Sequence, residues 1–431
     1  MNARIRSYAH IITSTAALAL TACASVTTST EPESALEVVR DGPPQRGVPS
    51  KSRPAPATPD APPRKSTRST APAGAATPNL AGLPDNTASD DTMVAHFIDV
   101  GQGDATLLEF KCGAILIDTG GETTDEVVGR DRLVSYLDEF FTRRTDLART
   151  LSLVVLSHPH IDHTDGVHGI LDAQPAINIL NVLDNGASSG RNSGISGQKA
   201  LQNYARDTDA GYVGLAETDI TTVAGVTNEI IDPLDCRRGD VGFDPRITAL
   251  WGRVDEQSDW ANNANNDSVI VRVDFGKASF LFTGDMQEEG IEAMLDSYSP
   301  DRRILDVDVL KVGHHGSHNA TTKELVAAVS PKIAVAQSGD TTLSHDRYSA
   351  WAYGHPNQRA IKLLIDPVTG LSTTRSPKTV IVGVKGRDRK SGADPVFTTM
   401  TMSRALYDNA WDGNIAITAN ADGSLKVQSE F

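Results

Sequence analysis

The stretch SHPHIDHTDG, Ser157–Gly166, places three histidines and two aspartates directly after the apolar run LSLVVL. Imidazole nitrogens and carboxylate oxygens suit zinc, manganese or iron, and no thiolate is present to select a softer metal. Zinc–imidazole bonds run about 2.0–2.1 Å, so one loop can serve two adjacent ions only if its side chains fan out. The alternation provides that: His158 and His160 can face one ion while Asp162 and His163 face its neighbour. The competing reading is a polar surface loop whose histidines bond to one another; a strand running straight into H-x-H-x-D-H argues against it.

Two more strand ends carry matching groups. Asp285 closes SFLFTGD, where a charge is costly unless it is paired or metal-bound. It can bridge two ions, or serve as a turn residue after Gly284. His314 and His315 end DVLKV and add an imidazole; the alternative is one capping and one core histidine. Of the eleven histidines in the chain, nine fall between His158 and His355, mostly in these two knots. Polar residues gathered where strands stop are how α/β sheets build sites. Lys311, inside the strand before the histidine pair, reads as structural.

The elements that must position these groups follow from periodicity. Short β-rich runs at Val94–Val100, Ala105–Phe110 and Ala114–Asp118 are broken by glycines. Leu133, Tyr136, Leu137, Phe140 and Phe141 share one face of a helix over Asp131–Arg144. The strand Leu151–Leu156 delivers the metal loop. Residues 173–265 are less regular: Asp184–Gly197 reads as a Gly/Ser/Asn loop and Gln198–Arg206 as a helix. Ser268–Val273 and Ala278–Phe282 form a hairpin around Asp-Phe-Gly-Lys. Gln287–Asp296 and Thr321–Ser330 are helical, and Val307–Val312 and Ile333–Gln337 are strands. Thr379–Val384 and Ile415–Thr418 add at least two more strands. Alternating strands and helices predict an α/β fold with mixed sheets.

With these motifs in place, HPHIDH is similar to the H-x-H-x-D-H signature of the metallo-β-lactamase fold superfamily. FIDVGQGDA, LIDTG, NNDSVIVRV, FLFTGD, VLKVGHHGS and YGHP follow in an order that resembles the hydrolase domain of ComEC-type competence proteins and its exported relatives, which include choline-phosphate esterases of cell-wall teichoic acid. The resemblance covers about Met93 to Asp366; beyond it, WDGNIAITANADGSLKV resembles closing strands of such domains. It implies an αββα sandwich with metal at one edge. It implies two divalent ions, with zinc favoured and manganese the alternative. His158 and His160 would hold one; Asp162 and His163 would hold the second, with Asp285 bridging and His315 completing that site. His314 would then contact a substrate phosphate. Asp118 matches the buried aspartate that orients the metal loop, and Asp104 lies near the same edge in such folds. The catalytic residues so implied are Asp162, His314 and His355, the last donating a proton or holding a phosphate oxygen unless it is a satisfied loop histidine.

One departure matters. Many superfamily members supply a further metal histidine between the first knot and the bridging aspartate. Here no histidine occurs between His168, which falls on the next helix, and His314. Asn266 or Asp267 is the nearest substitute. This argues against β-lactam or thioester hydrolysis and matches the ComEC-like branch. Two ions about 3.5–4 Å apart acidify a shared water and clamp an in-line displacement, which suits phosphodiesters.

The rest of the chain sets the context. Residues 1–23 read as a secretory leader whose Leu-Thr-Ala-Cys ending resembles a bacterial lipobox, making Cys23 the lipidated residue. The apolar run is too short for a transmembrane helix. Residues 24–92 are rich in Pro, Ala, Ser and Thr and read as a flexible tether to the hydrolase domain, 93–431. The expected location is therefore the bacterial cell envelope, outside the cytoplasm, with membrane contact through the lipid alone. Cys112 and Cys236 either pair or remain two buried thiols. A formal net charge of −15 argues against a broad duplex-DNA surface. The basic stretch VKGRDRKSG, Val384–Gly392, reads as a solvated loop. The expected activity is phosphodiester hydrolysis on extracellular nucleic acid or a phosphate-linked envelope polymer. The alternatives are another ester or lactam substrate, or a non-catalytic lipoprotein with a degenerate site.

Overall fold

The computed structural model describes residues 88–123, 127–188, 192–237, 242–254, 262–343 and 348–431. The leader, Cys23 and the tether before residue 88 lie outside these. Packing begins slightly ahead of the expected domain start: Ala88 is buried and its N–H donates to Glu109 Oε1 at 3.2 Å.

The first half runs β1 (Thr92–Phe97), β2 (Thr106–Glu109), β3 (Ala114–Ile117), α1 (Gly129–Arg143), β4 (Thr150–Leu151), β5 (Leu153–Val155), α2 (Ile161–Thr164), α3 (Gly166–Asp172), β6 (Asn178–Ile179), β7 (Asn181–Asp184), α4 (Ile195–Thr208) and β8 (Gly211–Gly214). The second runs β9 (Arg246–Trp251), β10 (Ile270–Phe275), β11 (Ala278–Phe282), α5 (Glu288–Ser297), β12 (Val309–Lys311), α6 (Lys323–Val329), β13 (Ile333–Ala336), α7 (Ala350–Tyr353), α8 (Gln358–Leu364), β14 (Thr374–Lys385), β15 (Val396–Arg404), β16 (Leu406–Asp408), α9 (Asn409–Asp412), β17 (Ile415–Asn420) and β18 (Leu425–Ser429).

These strands form one sheet in the order β18-β17-β1-β2-β3-β5-β7-β8 and a second in the order β16-β13-β12-β11-β10-β9. Both are mixed. In the first, β3, β5 and β7 run parallel; in the second, β11, β12, β13 and β16 do.

The central strands are nearly all apolar because both faces of each sheet are covered. Alternate residues divide between two cores. Phe97, Leu108, Ile117 and Val155 of the first sheet meet Val271, Phe280, Phe282 and Val335 of the second. The opposite residues of the first sheet, among them Leu107, Leu116 and Val154, pack on Leu133, Tyr136 and Phe140 of α1 and on Ile170 and Leu201. On the far side, Leu281 and Leu310 pack on Ile291 and Met294 of α5, Val326 of α6 and Ile361 of α8. Helix, sheet, sheet and helix layers follow, the expected αββα sandwich.

Several expectations shift. Helix α4 starts at Ile195, three residues before the expected Gln198, so the Gly/Ser/Asn loop is shorter. Thr379–Val384 is the middle of a twelve-residue strand, β14, paired with the unanticipated β15. Of the two cysteine alternatives the disulfide is present: Cys112 and Cys236 are bonded with Cα atoms 5.1 Å apart. Among the described residues no helix is long and apolar enough to cross a membrane.

Candidate metal centre

The two parallel strand sets end at one edge of the sandwich. β3 leads into Asp118, β5 into Ser157–His163, β11 into Asp285, β12 into His314–His315 and β13 into Gln337. Ligand-bearing loops from both sheets therefore meet there.

Asp118 builds the first half of the site. Its Oδ1 accepts the Ser157 N–H at 2.7 Å, and its Oδ2 accepts the Ser157 hydroxyl at 2.8 Å and His163 Nδ1–H at 2.9 Å. With Nδ1 donating, His163 presents Nε2 to the interior. Asp118 holds a left-handed φ of 56° to do this. Gly120 lets the metal loop lie close: a Cβ there would stand 1.7 Å from the Asp162 carbonyl oxygen.

Second-sheet residues complete the cluster. Asp285 Oδ2 lies 3.2 Å from His163 Nε2 and 3.4 Å from His315 Nε2. His315 Nδ1–H donates to the Gln337 carbonyl at 3.0 Å, so its Nε2 also faces inward, 3.3 Å from Asp162 Oδ2. His314 and His315 both take left-handed φ values, 49° and 52°, a strained backbone that turns adjacent side chains toward one point. His158 Nε2 and His160 Nδ1 stand 3.0 Å apart beside this group, with His158 and His163 ring centroids 4.2 Å apart.

Four ligand atoms, one each from Asp104, His163, Asp285 and His315, lie within 4.8 Å of one another. Asp104 thus stands closer to the centre than the sequence resemblance placed it. It is also held by Lys311, whose ammonium forms a buried ion pair with its carboxylate. Sequence reading took Lys311 as merely structural; nothing short of the topology brings residues 104 and 311 together. Asn266 and Asp267 turn elsewhere. The Asn266 carboxamide oxygen accepts the Gln287 N–H at 3.0 Å ahead of α5, and Asp267 Oδ1 accepts the Val254 N–H at 3.0 Å. Ser157, Ser268, Gln102 and Gln337 are positioning residues that the sequence reading did not single out.

Burial lowers the proton affinity of His163, but the carboxylates of Asp285 and Asp118 outweigh it and push the imidazole up to about 10. Burial and Asp285 act likewise on His315, pushed up to about 9. Burial and neighbouring imidazoles hold His158 well below its ordinary value. Asp104 Oδ1, His163 Nε2, Asp285 Oδ1 and His315 Nε2 are buried and make no regular hydrogen bond; the two Nε2 atoms stand at ion-pair distance from Asp285 Oδ2, and Asp104 Oδ1 lies 3.1 Å from His315 Nδ1. Buried imidazoles and carboxylates packed this closely are the donor set a divalent ion takes, so these residues fit a divalent metal.

His355 lies at the mouth. Gln102 Nε2–H donates to its Nδ1 at 3.3 Å, and its ring centroid is 5.7 Å from that of His314. Partly exposed His160, Asp162 and His314 mark the opening to solvent.

With this geometry in hand, likeness to known proteins is informative. The chain matches the metallo-β-lactamase superfamily model over residues 98–340 and belongs to that superfamily. It is 27% identical over 267 residues to Recombination protein 2 of Haemophilus influenzae, covering 62% of this chain and 26% of that protein. It is 25% identical over 276 residues to ComE operon protein 3 of Bacillus subtilis, covering 62% of this chain and 30% of that protein. Competence protein ComA of Neisseria gonorrhoeae is 35% identical over 114 residues, covering 25% of this chain and 15% of that protein. The ComEC-like resemblance therefore holds, while the matched region spans less than a third of each of these relatives. Among solved structures, the metallo-β-lactamase fold protein YhfI of Bacillus subtilis is 12% identical with a TM-score of 0.33, covering 57% of this chain and 85% of that one.

Proposed function

We propose that this protein is a metal-dependent phosphodiesterase of the bacterial cell envelope. The observation that carries the reading is the meeting of four buried ligand-type side chains, Asp104, His163, Asp285 and His315, whose ligand atoms lie within 4.8 Å of one another. His163, Asp285 and His315, with Asp162 and Asp104, would hold one ion. His158 and His160, whose ring nitrogens face each other, would hold a second with Asp285. Divalent ions there supply an acidified water and neutralise phosphate charge.

The chain's own residues do the rest. Asp118 and the Gln337 carbonyl fix the tautomers of His163 and His315, so no reorganisation is needed when substrate arrives. Gln102 occupies Nδ1 of His355, which leaves the ring proton on Nε2, available to a phosphate or leaving oxygen. His314, partly exposed beside Asp285, orients the incoming phosphate.

The envelope location is supported by the Cys112–Cys236 disulfide, a bond at home in oxidising compartments, and by the lipobox-like Cys23. Phosphodiesters are favoured over lactams and thioesters because no histidine between His168 and His314 supplies a further metal ligand beside His158 and His160.

The purified protein should carry about two divalent ions and hydrolyse bis(p-nitrophenyl) phosphate with zinc or manganese. His160→Ala should abolish turnover while leaving the far-ultraviolet circular dichroism intact. Wild-type protein without metal and without activity under any divalent ion would instead mark a binding lipoprotein.

A further inference from the structure

We propose that Lys311 is a resident cation of the metal centre: it shares the charge of Asp104, so that the cluster closes before any metal arrives and then binds its ion less tightly than the ligands alone would dictate. This rests on the metal-binding part of the reading above and is independent of the substrate.

Strand register places the lysine there. β12 lies between β11 and β13, and Lys311 pairs with Phe282 on one side and Val335 on the other. Both neighbours belong to the apolar core between the sheets, as does Val309, two residues earlier on the same face of β12. A position that otherwise takes an apolar side chain thus holds an ammonium, 2% exposed. A charge stays in such surroundings only with a partner. Among the described residues the ammonium hydrogen-bonds to Asp104 alone, through Oδ2. Burial pushes its proton affinity well down, and the charge of Asp408 acts against that.

Asp104 is fixed between the lysine and the metal ligands. Its N–H donates to the Asp162 carbonyl at 2.9 Å and its carbonyl accepts the Gly120 N–H at 3.0 Å, which ties its backbone to the metal loop. With Oδ2 on Lys311, the other oxygen, Oδ1, stands 3.1 Å from His315 Nδ1. An oxygen of this carboxylate lies within 4.8 Å of ligand atoms of His163, Asp285 and His315. One carboxylate therefore serves an ammonium and the ion position together.

The charges set the direction of the effect. Three carboxylates stand around His315: Asp104 Oδ1 at 3.1 Å from Nδ1, with Asp162 Oδ2 at 3.3 Å and Asp285 Oδ2 at 3.4 Å from Nε2. Without metal they repel one another, and Lys311 offsets one of them. With metal, the same ammonium repels the incoming dication at close range, and burial leaves that repulsion largely unscreened. Lysine suits both tasks. Its compact charge engages one oxygen of Asp104 and leaves the other to the centre, where a forked guanidinium would take both.

The test titrates the metal-free full chain with zinc against a chromophoric chelator and unfolds it in urea with and without zinc. Lys311→Met keeps the length of the side chain and removes its charge. It should bind zinc at least about tenfold tighter than wild type. Damage to a merely structural residue would weaken binding instead. The zinc-free urea midpoint of Lys311→Met should fall, because Asp104 is left buried without its partner, and saturating zinc should restore it. A Lys311→Met chain that refolds only when zinc is present gives the same result in stronger form. Asp104→Asn should bind zinc at least about tenfold more weakly. Asp104→Asn/Lys311→Met, with neither charge left unpaired, should be more stable without zinc than either single variant. Zinc affinity in Lys311→Met equal to or weaker than that of wild type, or failure to fold with zinc as without, would overturn the resident cation and leave the metal centre standing. Wild type that takes up no zinc would overturn the metal-binding reading, and the role of Lys311 with it.

Discussion

At the scale of single residues, the centre depends on side chains that never face the cluster's middle. Asp118 spends both oxygens on Ser157 and His163 and so sets which nitrogen His163 offers. Asp118→Asn keeps the shape and tolerates the left-handed backbone, but replaces one acceptor by a donor. Metal affinity should drop about 10–100-fold with little change in fold, read by competition with a chromophoric chelator. Unchanged affinity would mean that the loop holds its own orientation. Much of this centre was legible beforehand because its chemistry is concentrated: five ligand-type side chains stand within ten residues, and the others end apolar strands. Asp104 and Lys311 were not legible as partners. They are 207 residues apart in sequence, and only the docking of one sheet on the other makes them neighbours.

At the scale of elements, a buried polar network ties the first two strands to the first helix. Glu109 of β2 lies 3.1 Å from His96 of β1 and accepts from Arg144, just past α1, at 2.8 Å; Tyr136 of α1 contacts His96 at 2.9 Å. Burial pushes the Glu109 carboxyl up, but the bond and charge of His96, with those of Arg144, outweigh it and hold it below 4.5. The unfolded chain therefore takes up this proton first as pH falls. The network's contribution is present above about pH 4.5 and is lost as pH drops through the lower folded value. Denaturant unfolding across that window should show the loss, and Glu109→Gln should flatten it. That variant should cost about 1–3 kcal/mol at neutral pH, because Arg144 loses one charge-assisted partner but keeps Asp146 and two backbone carbonyls. Helix α1 itself was readable from the spacing of Leu133, Tyr136, Leu137, Phe140 and Phe141, all of them buried. The β14–β15 hairpin was only partly readable: Val380 and Val382 alternate inward in its middle, while its polar ends carry no period.

At the scale of the whole molecule, the Cys112–Cys236 bond joins the β2–β3 turn of one sheet to the segment that enters β9 of the other, across 124 residues of chain. Closing so long a loop in the unfolded state is worth about 4–5 kcal/mol by chain entropy. Cys112→Ser/Cys236→Ser should lose that much stability in urea, and reduction of the wild type should match it; a loss below about 1 kcal/mol would show that sheet packing alone holds the halves together. The αββα layering was implied by the metallo-β-lactamase resemblance, whereas the alternation of elements alone pointed to an α/β fold with mixed sheets. Whether Cys112 and Cys236 bond or stay two buried thiols was left open, since neither spacing nor composition fixes which distant loops meet.

The division of ligands between the sheets has a consequence in time. His158, His160, Asp162 and His163 come from the first half of the folded region, and Asp285 and His315 from the second. A chain still emerging from the ribosome carries half a centre until residue 315 has been delivered and its sheet has docked. The centre is thus incomplete throughout synthesis, and its ability to hold a metal is acquired late and all at once.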